Sequence, residues 1–174
     1  MKRFASPTRR AARGFALIVS LILLAVVMLL GLSGMRSVAL ESRMSAASHD
    51  RNLAFQGAET ALRESEGLAV AATAGDFPNT GCSGGYCAEP DPADAARWSD
   101  DGFSGWQAAT ASVSDGTPTP EAIIERSGEG ENWPACSQEI PRQPNCRTPR
   151  YRVTARSTDD GRAEVLLQSD VATQ

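Results

Sequence analysis

From Phe15 to Met35 the chain reads FALIVSLILLAVVMLLGLSGM without one charged residue. About twenty residues at 1.5 Å rise cross the hydrocarbon core of a bilayer, so this run predicts a membrane-spanning helix. No turn follows it. The next stretch, SVALESRMSAASHDRNLAFQGAETALRESEG, holds no proline and is rich in Ala, Leu, Arg and Glu, and it reads as continuing helix. Leu40, Met44, Ala47, Ala54, Ala58 and Leu62 recur at steps of three, four and seven as one apolar stripe. Arg43, Asp50, Glu59 and Arg63 lie largely off that stripe. A helix from Phe15 to about Glu66 would be roughly 78 Å long, far more than a bilayer needs. Its second half must stand in water and pack on something.

Gly31 and Gly34 fall inside this helix, where each costs about 1 kcal/mol relative to alanine. They either let neighbouring helices approach closely in the membrane or mark a stretch that melts on assembly. From Gly67 to about Gly130 the text turns rich in Gly, Pro, Asp and Ser, with short apolar pieces at Trp98, Phe103, Trp106 and Ile123-Ile124. Loops with a few short strands are expected there. The end is sharper. Tyr151, Val153 and Ala155 alternate with arginines and a threonine, Asp160-Gly161 turns the chain, and Ala163, Val165 and Leu167 alternate again. That pattern is a β-hairpin.

Charge orients the chain. Lys2, Arg3, Arg9, Arg10 and Arg13 precede the apolar run with no acid among them, so the N-terminus should stay in the cytoplasm and everything after Arg36 should face the periplasm. Without those five leader cations, 12 basic residues remain against 21 acidic ones. The acids dominate residues 67–131, whereas Arg142, Arg147, Arg150, Arg152, Arg156 and Arg162 collect near the hairpin. Such a patch can bind nucleic acid electrostatically. Interspersed acids and a single aromatic, Tyr151, favour a solvated strand face or docking onto an acidic neighbour, so nucleic acid is not the expected partner.

Cys82, Cys87, Cys136 and Cys146 all fall on the predicted periplasmic side, where thiols oxidise, and disulfides are the default reading. Of three connectivities, the short spacings favour Cys82 with Cys87 and Cys136 with Cys146, each adding about 2–3 kcal/mol. Zinc is not expected, because the one histidine, His49, lies far from the cysteines. Asp91, Asp94, Asp100-Asp101-Gly102 and Asp159-Asp160-Gly161 lack EF-hand spacing and read as turns rather than calcium loops. There is no Gly-x-Ser-x-Gly elbow and no phosphate loop. No catalytic residue, cofactor or metal is expected, and an enzyme is not.

The sharpest motif is Arg13-Gly14-Phe15-Ala16-Leu17-Ile18, a basic leader ending in glycine directly before a long apolar helix. A secretory signal peptide is the main alternative, and Ser37-Val38-Ala39 loosely imitates its cleavage site, but its apolar region should be shorter. A plain single-pass anchor is another. Here the chain resembles the type IV prepilins. The resemblance implies cleavage after Gly14 by prepilin peptidase and N-methylation of Phe15. More narrowly, residues 13–64, including Arg51-Asn52-Leu53-Ala54-Phe55-Gln56 and Ala58-Glu59, resemble PilX-type minor pilins, and the ending YRVTARSTDDGRAEVLLQS is similar to that family's closing hairpin.

The resemblance implies an α+β, pilin-like fold: a long N-terminal transmembrane and amphipathic helix packed on a small antiparallel sheet with a C-terminal hairpin. Its parts would be a cleaved leader (1–14), a transmembrane half-helix (15–35), an amphipathic half-helix (36–66) and a disulfide-stapled globular domain (67–174). It also implies an inner-membrane subunit that passes into the pilus, with other minor pilins, the major pilin and a large tip adhesin as partners. Major pilins carry a glutamate at the fifth processed position, where this chain has Val19. In lipid such a carboxylate costs about 2.5–3.5 kcal/mol and needs a partner, understood in the family to be the terminal amine of a neighbouring subunit. Val19 thus resembles the glutamate-free PilX and type II secretion pseudopilin K, both assigned near filament tips; the alternative reading is that valine is merely a good lipid-facing residue. Rival readings are a displayed adhesin or DNA receptor, and pseudopilin K itself, whose larger inserted domain would not fit here.

Overall fold

A computed structural model describes residues 15–110 and 119–173, with Arg36 described in its backbone alone. The leader and Gly14 lie outside the described residues. The chain divides into two units, Met1–Ala46 and Ala47–Gln174. One helix, α1 (Phe15–Ala71), begins in the first and ends in the second. In the apolar run Ser20 and Ser33 donate their hydroxyls to the carbonyls of Leu17 and Leu30, both at 2.9 Å, so neither polar group is left bare. α1 does not stop at Glu66. It takes in Gly67 and reaches Ala71, because Leu68 and Ala69 continue the helical pattern and Ala69 is fully buried in the core. That burial offsets most of the roughly 1 kcal/mol a mid-helix glycine costs.

After α1, Thr73 and Asp76 form a capping box around the short 3-10 helix Ala74–Asp76. Six strands build the sheet. β1 (Cys82–Ser83) and β2 (Tyr86–Cys87) form a tight hairpin whose two turn residues, Gly84 and Gly85, both have positive φ, 56° and 83°. A two-residue turn of that hand suits glycine. β3 (Gln107–Ala108), β4 (Glu121–Glu131), β5 (Arg147–Ser157) and β6 (Val165–Ala172) follow. The order is β1-β2-β4-β5-β6, with β3 also on β4. All pairs are antiparallel except β2 with β4. The architecture is α+β, a long N-terminal helix with a mostly antiparallel sheet.

Ile123-Ile124 lie in β4, as the apolar text suggested, whereas Trp98 sits in a 3-10 turn, Arg97–Ser99, and Phe103 and Trp106 precede β3. The closing hairpin is present but its turn is wide. Ser157 pairs with Val165, so residues 158–164 form the connection around Asp160-Gly161, and Ala163 leaves the strand pattern. Its N–H goes instead to the carboxylate of Asp50 on α1.

Within the second unit, Ala54, Ala58, Ala61, Leu62, Ser65 and Ala69 form the buried face of α1. Opposite stand alternate residues of β4 and β5: Ala122, Ile124, Tyr151, Val153 and Ala155, with Leu167 and Val171 of β6 beside them. Phe77 stacks on Tyr151 at 4.9 Å and meets Tyr86 edge-on at 5.3 Å. The helix face is built of small residues because it lies close to the sheet. A Cβ placed on Gly57 would sit 3.1 Å from the Ser157 hydroxyl oxygen. The opposite sheet face is covered as well. Ile123 and Thr154 are fully buried there, Arg97 pairs with the buried Glu125 and donates to the Ala88 carbonyl, and the Arg156 guanidinium lies 4.1 Å over the Trp106 ring.

Candidate functional site

Between Phe15 and Met35 the first unit presents an uncharged surface. From Phe15 to Met35 every described side chain is exposed, Phe15 at 72% and Val19 at 38%. The helix is long and apolar enough to cross a membrane. Gly31 and Gly34 are both helical, and a Cβ at either would meet no atom within 4 Å. Of the apolar stripe expected along the second half, Leu40, Met44 and Ala47 are exposed while Ala54, Ala58 and Leu62 are buried against the sheet. The chain thus satisfies the lower part of its own stripe and leaves the upper part open.

In the second unit five of the six arginines are held by partners within the chain, and Arg142 is exposed. Arg156 reaches Glu121 with two nitrogens at 3.0 and 2.8 Å, Arg152 reaches Asp170 at 3.3 Å, and Arg147 lies 4.0 Å from Glu129. Arg150 donates to the Glu131 carbonyl and to Asn132. Arg162 grips Asp50. Register sets two of these pairings, with Glu121 of β4 directly across from Arg156 and Asp170 of β6 directly across from Arg152. Acidic and basic segments that read as two poles along the chain are neighbours in space.

The structure pairs Cys82 with Cys87 and Cys136 with Cys146. The first staples the β1–β2 hairpin. The second closes the loop between β4 and β5, whose base is fixed by Asn132 through the Cys146 and Asn145 carbonyls. At the tip Ile140 is 97% exposed. Val19, Phe15 and the glycines stay in the first unit and the cysteines in the second, so no single cavity gathers the candidates. Glu64, Leu68, Tyr86, Gln107, Ala109 and Ile124 line a largely apolar recess. Its carboxylate, Glu64, accepts the Thr110 N–H through both oxygens. His49 is exposed, and among the described residues no three metal-binding side chains converge.

Sequence reasoning missed the clasp at Asp50. The carboxylate accepts the Ala163 N–H at 2.7 Å and two nitrogens of Arg162, joining the turn of the β5–β6 hairpin to α1. A separation of 112 residues leaves no local signal. The backbone N–H of Ala163 and then the Arg162 guanidinium hold the Asp50 carboxyl below its ordinary value of 3.8. A depressed folded value means the clasp stabilises above the unfolded value and fades as pH falls through the folded one. Asp50→Asn should therefore lower the thermal midpoint at neutral pH, and the gap to wild type should close as pH is taken below 3.8. A gap that persisted unchanged in acid would assign the loss to packing instead.

No curated protein and no solved structure matches the chain. Residues 13–63 match the family model described as PilX N-terminal. That span covers the apolar exposed helix and the first turns that pack on the sheet, and over it the chain is similar to the N-terminal region of PilX-type pilins.

Proposed function

We propose that this subunit is a minor pilin that helps start the filament: held in the inner membrane, cut after Gly14 by prepilin peptidase, methylated on Phe15, and placed with other minor pilins in a priming complex beneath a large tip adhesin. The major pilin would then add below it. Its work is structural, not catalytic. Burial among neighbouring pilin helices replaces lipid around residues 15–35, while the periplasmic domain selects neighbours by shape and charge. The internally paired arginines support docking on other subunits over binding nucleic acid.

One observation carries this reading. Val19 stands on a helix that offers no acid from Phe15 to Leu40. A repeating subunit needs a buried carboxylate to recruit against the amine of the subunit before it, and the first subunit has no such predecessor. A carboxylate at position 19 would have to protonate or be drawn toward the interface. Val19→Glu is expected to insert yet give no gain in pili, and Val19→Leu to be silent, when chromosomal variants at equal protein level are compared by counting sheared pili. Mass spectrometry should find N-methylated Phe15 as the first residue. A chain starting at Leu40, or even distribution of the subunit along filaments by immunogold, would overturn the processing or the tip placement respectively.

Ile140 on its disulfide-closed loop favours a second reading, a displayed adhesin. A deletion strain with normal piliation and lost adhesion would select it.

A further inference from the structure

β6 forms one edge of the sheet, paired with β5 along its whole length and with nothing on its other side among the described residues. Thr173 donates its N–H to the Pro149 carbonyl at 3.3 Å, and this sets the parity of the ladder. Val165, Leu167, Ser169 and Val171 exchange bonds with β5, so Leu166, Gln168, Asp170 and Ala172 turn their N–H and C=O groups to the open edge. No hydrogen bond among the described residues reaches those groups, and Gln168, Asp170 and Ala172 are exposed. The rail is roughly 27 Å long.

Natural sheets blunt such an edge with proline, lysine, a bulge or a covering loop. β6 has none of these: it contains no proline, glycine or lysine, its register is unbroken, and its one charge, Asp170, already faces Arg152. Leu167 and Val171 of the same strand are only partly buried beside the core, so the helix-side face at this edge is unfinished.

We propose that the β6 edge accepts an extended strand from a different pilus subunit, adding it to the sheet. This rests on the pilus-subunit reading above. The incoming strand carries apolar residues on the side of Leu167 and Val171, where they extend the core. On the other side it places a cation across from Asp170, whose side chain is 66% exposed. Backbone bonds supply the affinity and the alternating side chains the selection. A second copy of β6 is the poorer complement, since the strand has no cation to offer Asp170.

The test uses the full chain in piliated cells. A photo-cross-linking residue at position 172, which leaves Asp170 in place, should join the subunit to a different pilus subunit, identified by mass spectrometry. Gln168→Pro removes one outward N–H without touching the β5 ladder and should cut both the cross-link and the surface pili about tenfold. Gln168→Ala loses the same side-chain bond to Thr154 but keeps the N–H, and should behave as wild type. Both variants should keep wild-type protein level and both disulfides. No cross-link from the chain that carries the cross-linking residue and no other change, a cross-link only to a second copy, or full piliation with Gln168→Pro would overturn the proposal. N-methylated Phe15 in those same cells would show that the pilin reading had survived the failure.

Discussion

Arg97→Ala is expected to destabilise the folded chain by about 3 kcal/mol, the low end for breaking a buried ion pair because the arginine keeps some access to water. Its side chain is 17% exposed and that of Glu125 only 5%. Removing the cation strands a carboxylate inside the sheet's covered face, whereas removing the carboxylate lets a long arginine turn outward. Glu125→Ala should therefore cost less, and the double variant should recover part of the loss of Arg97→Ala. The effect is local before it is global. Arg97 also holds the Ala88 carbonyl at 3.0 Å, so the segment between β2 and β3 is fastened to β4 at this point. Trp98 and Trp106 lie in that segment, and their fluorescence should change at lower denaturant than far-ultraviolet ellipticity in the Arg97→Ala chain. Coincident transitions at the wild-type midpoint would show that the pair contributes nothing.

The second large effect is expected at Gly57. Its missing side chain lets α1 approach β5, where the Ser157 oxygen lies 3.1 Å and the Pro120 Cβ 3.8 Å from the place a Cβ would occupy. Gly57→Leu drives further carbons into that contact and should cost about 3 kcal/mol, at the upper end for overpacking. Gly57→Ala sits near balance. It gains about 1 kcal/mol of helix propensity and loses some of it by pushing on Ser157. That hydroxyl is buried without a hydrogen-bond partner among the described residues, so Ser157→Ala should be nearly neutral alone and should turn Gly57→Ala into a net gain. Urea midpoints of the four chains close this cycle. Equal midpoints for Gly57→Leu and wild type would mean that the helix does not rest on the sheet at this point.

Local chemistry made much of the molecule readable. An uncharged run of membrane length, a basic leader, a helix-forming continuation and a strand pattern of period two are statements about neighbours in sequence. They fixed the helix, the closing hairpin and the resemblance that the family match over residues 13–63 now supports. Cys82 and Cys87, and likewise Cys136 and Cys146, are close enough in sequence that spacing favoured the pairing the structure shows.

What the sequence could not decide depends on contacts between distant residues. Gly67 looked like the end of the helix, yet burial of Ala69 against the core carries α1 to Ala71. Asp160-Gly161 looked like a tight turn, yet the connection widens so that Arg162 and Ala163 can reach Asp50. The arginines near the hairpin looked like a charged patch, yet the register of β4 on β5 places Glu121 against Arg156, and Asp170 of β6 meets Arg152. Periodicity shows that a stripe is apolar but not which half its own chain will cover. Only the folded sheet, by burying Ala54, Ala58 and Leu62 within the second unit, decides which of the stripe's positions become core, because that contact joins residues about 60 to 100 positions apart in sequence.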